Sequence, residues 1–352
     1  MTTLVLLVGL SAVISWGAAV MVLRRAFRLS LVQLPNHRSS HTQPTPNGGG
    51  LGMVLAGSIT GIWLAWGQSL NLWTVIGLAL PLATVGLLDD IRHLPARVRF
   101  VVHVAVCGGL LIALGSMPAI SLTPALLSGG GGVEVAGWFL SALLLLAGVW
   151  WINLFNFMDG IDGIAGAQAV FMLVAAASLA WWAHPGAMAN PVWVLMLCVA
   201  AATIGFLLLN WPPARIFMGD VGSTWLAFMI FAIALFTIQM GWLGYAVWLL
   251  LAAVFVADTV VTLLTRMVRG ERWHEAHRSH AYQRLSRRWH GARHIGHRSV
   301  TLLVAAIDLL WLAPLAWACV RWPQWAQGFV MLAYMPLAAG VLLLGAGRPD
   351  NE

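Results

Sequence analysis

Asn153-Leu-Phe-Asn-Phe-Met-Asp-Gly-Ile-Asp-Gly-Ile-Ala-Gly166 separates two apolar runs, 136–152 and 163–183, each close to the length that crosses a bilayer. Asn153 and Asn156 stand three apart, as do Asp159 and Asp162, so on helical turns each pair would share a face. Gly160, Gly163 and Gly166 open the backbone to close approach by a ligand. Carboxylates are costly in hydrocarbon, so this concentration of polar groups between two spans reads as functional. The bland alternative is that these groups cap two helix ends.

Working outward, the same alternation fills the chain. The 352 residues are 60% hydrophobic and 9% charged, with mean hydropathy +0.85, a balance that excludes a soluble domain. The expectation is an all-α, polytopic helical membrane protein with about 11 spans, near 3–23, 49–67, 71–88, 98–116, 136–152, 163–183, 192–210, 223–239, 243–265, 300–320 and 326–345. No fixed repeat and no second domain interrupts them, so residues 1–352 read as one integral membrane domain. The run Leu4–Leu23 has no basic residue before it and Arg24, Arg25 and Arg28 after it, the reverse of a cleavable signal. This places the N-terminus in the periplasm and the C-terminus in the cytoplasm, with cytoplasmic segments 24–48, 89–97, 153–162, 211–222 and 266–299. All 19 basic residues are Arg, and only Arg321 falls on the outer side of this topology. That asymmetry fits positive-inside orientation. It also argues against nucleic acid as a partner, because the Arg residues flank spans instead of forming a basic domain.

Five of the 12 acidic residues lie in three islands on the cytoplasmic side: Asp89-Asp90, Asp159 with Asp162, and Asp220 in Arg215-Ile-Phe-Met-Gly-Asp-Val-Gly-Ser-Thr224. Adjacent carboxylates repel, so Asp89 and Asp90 call for a cation or a basic partner such as Arg92, Arg97 or Arg99. Asp220 reads either as a ligand-facing acid or as a plain helix N-cap, and Phe217 beside it suits a nucleobase platform. Gly48, Gly49 and Gly50 lead into the second span, where freed N–H groups would approach an anion, with His41 and Arg38 adding cationic contacts. The segment 266–299 holds nine Arg and six His, and His277-Arg278-Ser279-His280 sets two imidazoles three apart, able to face one phosphate. Cys107, Cys198 and Cys319 lie far apart in apolar runs, as packing residues would. Asp258 lies within a span and is expected to pair with Arg266 or Arg269, or to line the site; Asp308 has no functional reading.

In this order, the Asp-Asp pair, Asn-x-x-Asn-x-x-Asp-Gly-x-Asp-Gly, Phe-Met-Gly-Asp-x-Gly-Ser and the terminal His motif resemble the polyprenyl-phosphate N-acetylhexosamine-1-phosphate transferases, from about His37 to Gln283. The stretch Arg269-Gly-Glu-Arg-Trp-His-Glu-Ala-His-Arg-Ser-His-Ala-Tyr-Gln283 looks closest to the O-antigen-initiating branch and departs from the His triplet of the peptidoglycan enzyme. The resemblance implies a UDP-N-acetylhexosamine donor, undecaprenyl phosphate as acceptor, and Mg2+ as cofactor with Mn2+ able to stand in. It implies Asp220, with Asp90, as metal ligands and Phe217 stacking on uracil. Asn153, Asn156, Asp159 and Asp162 would meet the nucleotide-sugar, Asp89 and Asp90 the lipid phosphate, and His277, Arg278 and His280 the donor phosphates. The expected setting is the bacterial inner membrane with the active site facing the cytoplasm. Membrane lipid is a further partner, and a homodimer stays open.

The acceptor's second pKa is about 6, so it is already a dianionic nucleophile near neutral pH. The obstacle is repulsion from the donor diphosphate, which cations and Arg or His dipoles screen. A one-step attack on the β-phosphorus is favoured over a phospho-Asp route through Asp89 or Asp90. Competing readings are a transporter of lipid-linked sugars, the muramoyl-pentapeptide phosphotransferase of peptidoglycan synthesis, and a non-catalytic scaffold. The sugar is open among N-acetylglucosamine, N-acetylgalactosamine and their 6-deoxy relatives.

Overall fold

In hydrocarbon every backbone N–H and C=O needs an internal partner, and runs free of charge and of central breakers meet that need as helices. A computed structural model describes residues 2–33, 44–66, 70–121, 134–271, 277–293 and 296–349. It shows α1 (Thr2–Arg25), α2 (Leu51–Ala65), α3 (Leu70–Arg92), α4 (Ala96–Leu114), α5 (Gly137–Met158), α6 (Ile164–Ala183) and α7 (Pro191–Asn210). There follow α8 (Gly219–Gln239), α9 (Tyr245–Leu251), α10 (Ala253–Val268), α11 (Ala281–Arg293), α12 (Gly296–Ile307), α13 (Ala313–Arg321) and α14 (Ala326–Leu343). Two short antiparallel ribbons pair β1 (Val32–Gln33) with β2 (Thr45–Pro46), and β3 (Ile120–Ser121) with β4 (Glu134–Val135).

The protein is an all-α multi-pass membrane protein. Among the described residues nine helices are long and apolar enough to span, counting Gly296–Arg321 as one, and α9 with α10 makes a tenth if a 77° bend is allowed. The run expected as a single span at 243–265 is thus broken at Ala252. The run expected at 49–67 forms α2, only 15 residues long and shorter than the nine spans. Boundaries also move. Helix α3 continues to Arg92, so Asp89 and Asp90 lie in its last turn and not in a loop. Helix α5 continues to Met158 and carries both Asn153 and Asn156.

Helix α8 is the axis of the bundle. Every residue from Val221 to Ile238 is buried, packed against α2, α3 and α5 with α4, α6, α7 and α9 around them. Small residues permit that enclosure, as in other membrane bundles. A Cβ at Gly50 would collide with Gly222, one at Gly57 with the Trp225 ring, and one at Gly86 would lie 2.6 Å from the Asp220 carbonyl oxygen. Trp151 of α5 donates its indole N–H to the Ala227 carbonyl at 2.9 Å, fixing the register of α5 against α8.

This packing gives a contrast between two glycines. Gly50→Ala forces α2 away from α8 and is expected to destabilise by about 1–3 kcal/mol, the usual cost of overpacking. Gly77→Ala in α3 meets no atom within 4 Å and should leave stability unchanged or slightly raised. Thermal unfolding of the two variants in detergent measures the difference.

Candidate active site

The N-terminus of α8 sits among other helices, so its first amides need protein partners. Asp90 supplies them from α3: Oδ1 accepts from the Asp220 N–H at 2.9 Å, and Oδ2 accepts from the Val221 N–H at 3.1 Å. Asn47 donates its Nδ2 to Asp90 Oδ1 at 3.0 Å. Gly219, at φ +75°, makes the turn into α8, and a Cβ there would lie 2.5 Å from Asp90 Oδ2. Asp220 is therefore a first-turn residue whose capping need is met from another helix. Asp90, expected to ligate metal and to act catalytically, uses both oxygens to hold Asp220 in place.

Arg99, in the first turns of α4, links two of the islands. Its Nη1 lies 2.6 Å from Asp89 Oδ2 and 3.0 Å from Asp220 Oδ2. Asp89 also accepts from the Leu94 N–H at the turn joining α3 to α4. Asn156 lies beside Asp220 as a hydrogen-bond partner. Asp159 ends α5 close by, and its acid is held well above the usual carboxylate range by burial first, then by the charges of Asp220, Asp162 and Asp90. The islands thus converge from α3, α5 and α8 at one end of the bundle.

Asp162 braces the neighbouring loops. Its Oδ2 accepts from the Ala214 N–H at 3.0 Å and lies 3.2 Å from His297 Nδ1 in α12, while its carbonyl accepts from Thr301 Oγ1. Asn153 turns to the Val149 carbonyl and to His103 Nδ1 at 3.3 Å. Phe217 is half-buried; its N–H donates to the Pro46 carbonyl and its own carbonyl accepts from the Gly49 N–H, both bonds tying the site to the β1–β2 ribbon. Gly50 N–H likewise donates to the Met218 carbonyl. These two amides, expected to meet an anion, are engaged by backbone instead, and the glycines serve close packing. His41 and Arg38 lie outside the described residues.

The His segment arrives through Asp258. This carboxylate, 3% exposed in α10, accepts from the Ala281 and Tyr282 N–H groups at 3.0 Å each, from Thr262 Oγ1, and lies 3.2 Å from His280 Nδ1. It caps α11 from a different helix. It pairs with neither Arg266 nor Arg269, both of which approach Glu271. The rings of His277, His280 and Tyr282 stack in series, at 4.9 Å and 5.8 Å. Tyr282 donates its hydroxyl to the Phe157 carbonyl and packs on Gly160, where a Cβ would collide with its oxygen. This docks α11 on the loop bearing Asp159. His280 is buried and committed to Asp258, which leaves half-buried His277 as the imidazole nearer solvent. Burial, followed by His280 and Arg266, holds His277 down to about 3, so it is neutral at physiological pH. Its Nδ1 lies 3.0 Å from Ser279 Oγ and 3.5 Å from the Ser279 backbone nitrogen. Arg278 offers its carbonyl to Arg287 Nη2.

Asp258, Tyr282, Asn47 and His297 were not singled out as a set by sequence. The sequence signal is weak: Asp258 is a lone acid in an apolar run, and Tyr282 follows the His motif. Asp220 and Asp159 offer hard oxygens, the donor type that Mg2+ takes from one or two carboxylates plus substrate phosphate. Among the described residues no group of three acids, His or Cys forms a ready-made metal cage. The three cysteines are buried and free.

Two outcomes follow from the His segment. Asp258→Ala leaves two buried amides and His280 without their acceptor, at about 1–3 kcal/mol for each unsatisfied group; a lower melting temperature and faster tryptic cleavage at Arg278 and Arg284 are expected. His277 titrates lower in the folded protein than a free imidazole near 6.5, so the unfolded chain takes the proton first. The stability tied to it is present above about pH 6.5 and lost as pH falls toward about 3. Melting followed from about pH 7.5 down to about pH 5 should decline, and less steeply in His277→Gln.

Comparison with known proteins agrees with this architecture. Residues 72–238 match glycosyl transferase family 4. A protein of Bacillus subtilis, named a probable undecaprenyl-phosphate N-acetylglucosaminyl 1-phosphate transferase, is 26% identical over 330 residues, covering 91% of this chain and 87% of the relative. A decaprenyl-phosphate N-acetylglucosaminephosphotransferase of Mycolicibacterium smegmatis is 32% identical over 238 residues, 64% of this chain and 58% of the relative. A phospho-N-acetylmuramoyl-pentapeptide-transferase of Synechococcus elongatus is 30% identical over 242 residues, 64% of this chain and 62% of the relative. The Asp-Asp pair, the Asn/Asp run, the Asp220 turn and the His segment gather at one end of a membrane bundle, and over 91% of its length the chain is similar to a polyprenyl-phosphate hexosamine-1-phosphate transferase.

Proposed function

We propose that this protein transfers an N-acetylhexosamine 1-phosphate from a UDP-sugar to undecaprenyl phosphate, giving the undecaprenyl-diphosphate-sugar and UMP. An oxygen of the acceptor phosphate forms the new bond to the donor β-phosphorus, and the bond from that phosphorus to UMP breaks. The observation that carries this reading is Arg99 held between Asp89 and Asp220, with Asp159 beside them, at one end of a membrane bundle. A guanidinium among acids can exchange its carboxylate partners for phosphate, and so bring two anionic substrates together.

The residues divide the work as follows. Asp90 and Asn47 fix the α8 N-terminus, and with it the direction of Asp220. Arg99 and His277 orient phosphate. Phe217 takes the uracil face, while Asn156 and Asp159 meet the donor. Mg2+, held by Asp220 with Asp159, would supply charge neutralisation of the diphosphate. Burial first, and then the surrounding acids, hold Asp159 above its ordinary range, and a neighbouring cation would bring it down. The direct displacement is favoured over a phospho-Asp intermediate. Both Asp90 oxygens already accept amide protons, and Asp89 faces Arg99 and the Leu94 N–H, which lowers the nucleophilicity of each. The proposed setting is the cytoplasmic face of the bacterial inner membrane, initiating O-antigen or a related surface polysaccharide.

One feature favours a second reading. The break at Ala252 is the kind of interruption found in secondary transporters, and it is the feature that fits a transporter of lipid-linked sugars. A single experiment separates the two: purified protein, undecaprenyl phosphate and a panel of UDP-sugars, with lipid products and UMP read by mass spectrometry. The transferase yields both products, and EDTA abolishes them; a transporter yields neither. Asp220→Asn is expected to lower turnover by at least about 100-fold with membrane insertion intact. Turnover at the parental rate would remove Asp220 from the proposed role.

A further inference from the structure

At the end of the bundle opposite the acidic islands, a cleft of about 950 Å3 opens between the end of α6, the start of α9, the end of α13 and the start of α14. Its walls divide by chemistry. Ser121, His184, Tyr245, Arg321 and Gln327 supply polar groups, while Val247, Leu249, Val330 and Met331 supply apolar surface. Two of the polar residues hold the rim in place: Tyr245 donates its hydroxyl to the Pro118 carbonyl at 2.9 Å, and Gln327 donates Nε2 to the Ser121 carbonyl at 3.2 Å.

Arg321 is exposed, and its guanidinium lies over the Trp322 ring at 5.6 Å. Trp322 packs on Trp317 at 5.7 Å, and Trp317 on Trp182 at 5.6 Å. Such a row of indoles marks headgroup depth in a bilayer. Among the described residues Arg321 has no carboxylate partner, and no acidic side chain lines the cleft. Glu134, exposed, pairs with Ser121 across the β3–β4 ribbon, but the cleft's own lining offers a phosphate diester Arg321 and no acid.

We infer that this cleft seats one anionic phospholipid, its phosphate on Arg321 and an acyl chain along Val330 and Met331. The occupant meets a guanidinium that has no carboxylate partner among the described residues and lays an acyl chain along the cleft's apolar wall. The cleft lies at the far end from the acidic islands, so occupancy is measured without turnover.

The test is native mass spectrometry of the delipidated full chain in detergent, titrated with phosphatidylglycerol or phosphatidylcholine of matched acyl chains. One phosphatidylglycerol is expected to be retained in preference to phosphatidylcholine. Arg321→Gln should lower phosphatidylglycerol occupancy about fivefold, the equivalent of one interfacial cation, and bring the two lipids level. Arg321→Lys should retain the preference, and Val330→Trp, which fills the cleft, should lower binding of both lipids. A phosphatidylglycerol with a diazirine in its acyl chain should label residues 320–331. Equal occupancy in Arg321→Gln and the parent, at matched melting temperature, overturns the assignment. So does labelling confined to other segments. Formation of a dimer that expels the lipid would give the cleft to a second copy of the chain and end the proposal in this form.

Discussion

A helix enclosed by other helices has little water at its ends, so protein groups meet its first amides. In this molecule that constraint falls on α8, and Asp90 of α3 meets it. The acid accepts from the two amides that open α8, and in doing so it fixes where Asp220 stands. Gly219, Gly86 and Asn47 make sense only around this contact: one turns the chain, one lets α3 approach, one holds the acid. Arg99 then crosses from α4 to the two acids that remain open, Asp89 and Asp220.

The device is used twice. Asp258 reaches from α10 to the first amides of α11 and takes His280 with them. In each case a carboxylate on one helix orients the opening turn of another, and that turn carries or adjoins a residue facing the site. A lipid-exposed helix can be rotated by small changes in its neighbours. A helix end tied by two amide bonds to a carboxylate on another helix resists rotation and translation together. The stacked rings of His277, His280 and Tyr282 extend this order to the loop at Gly160, so the long segment after α10 is registered to Asp159 by contact and not by sequence proximity.

Much of this was legible in the chain. The apolar runs gave the helices, because uncharged stretches in hydrocarbon have one way to satisfy their backbone. The acidic islands gave the end of the bundle that matters, since carboxylates beside such runs are expensive without a role. What sequence could not apportion was the division of labour among similar side chains. Asp89 and Asp90 are adjacent and chemically identical, yet one faces Arg99 and the other caps α8, a difference set by the 100° turn between neighbours in a helix. Asp258 looked like a candidate for its nearest arginines, but the buried amides of α11 and His280 hold it and Glu271 takes Arg266 and Arg269. Gly49 read as an anion loop because nothing in the chain reveals that the Phe217 carbonyl lies within reach. The break at Ala252 had no marker, for neither Gly nor Pro stands there.

Enclosure of α8 has a consequence for the membranes in which this protein can work. Hydrophobic mismatch acts on helices that touch lipid, tilting them or thinning the bilayer around them. Helix α14 is only 11% buried across its span and α1 28%, so they meet the acyl chains, whereas α8 is 94% buried and meets almost none. A thicker or thinner bilayer therefore tilts the outer helices first. The carboxylates and Arg99 are tied to the inner helix and keep their spacing while the periphery adjusts.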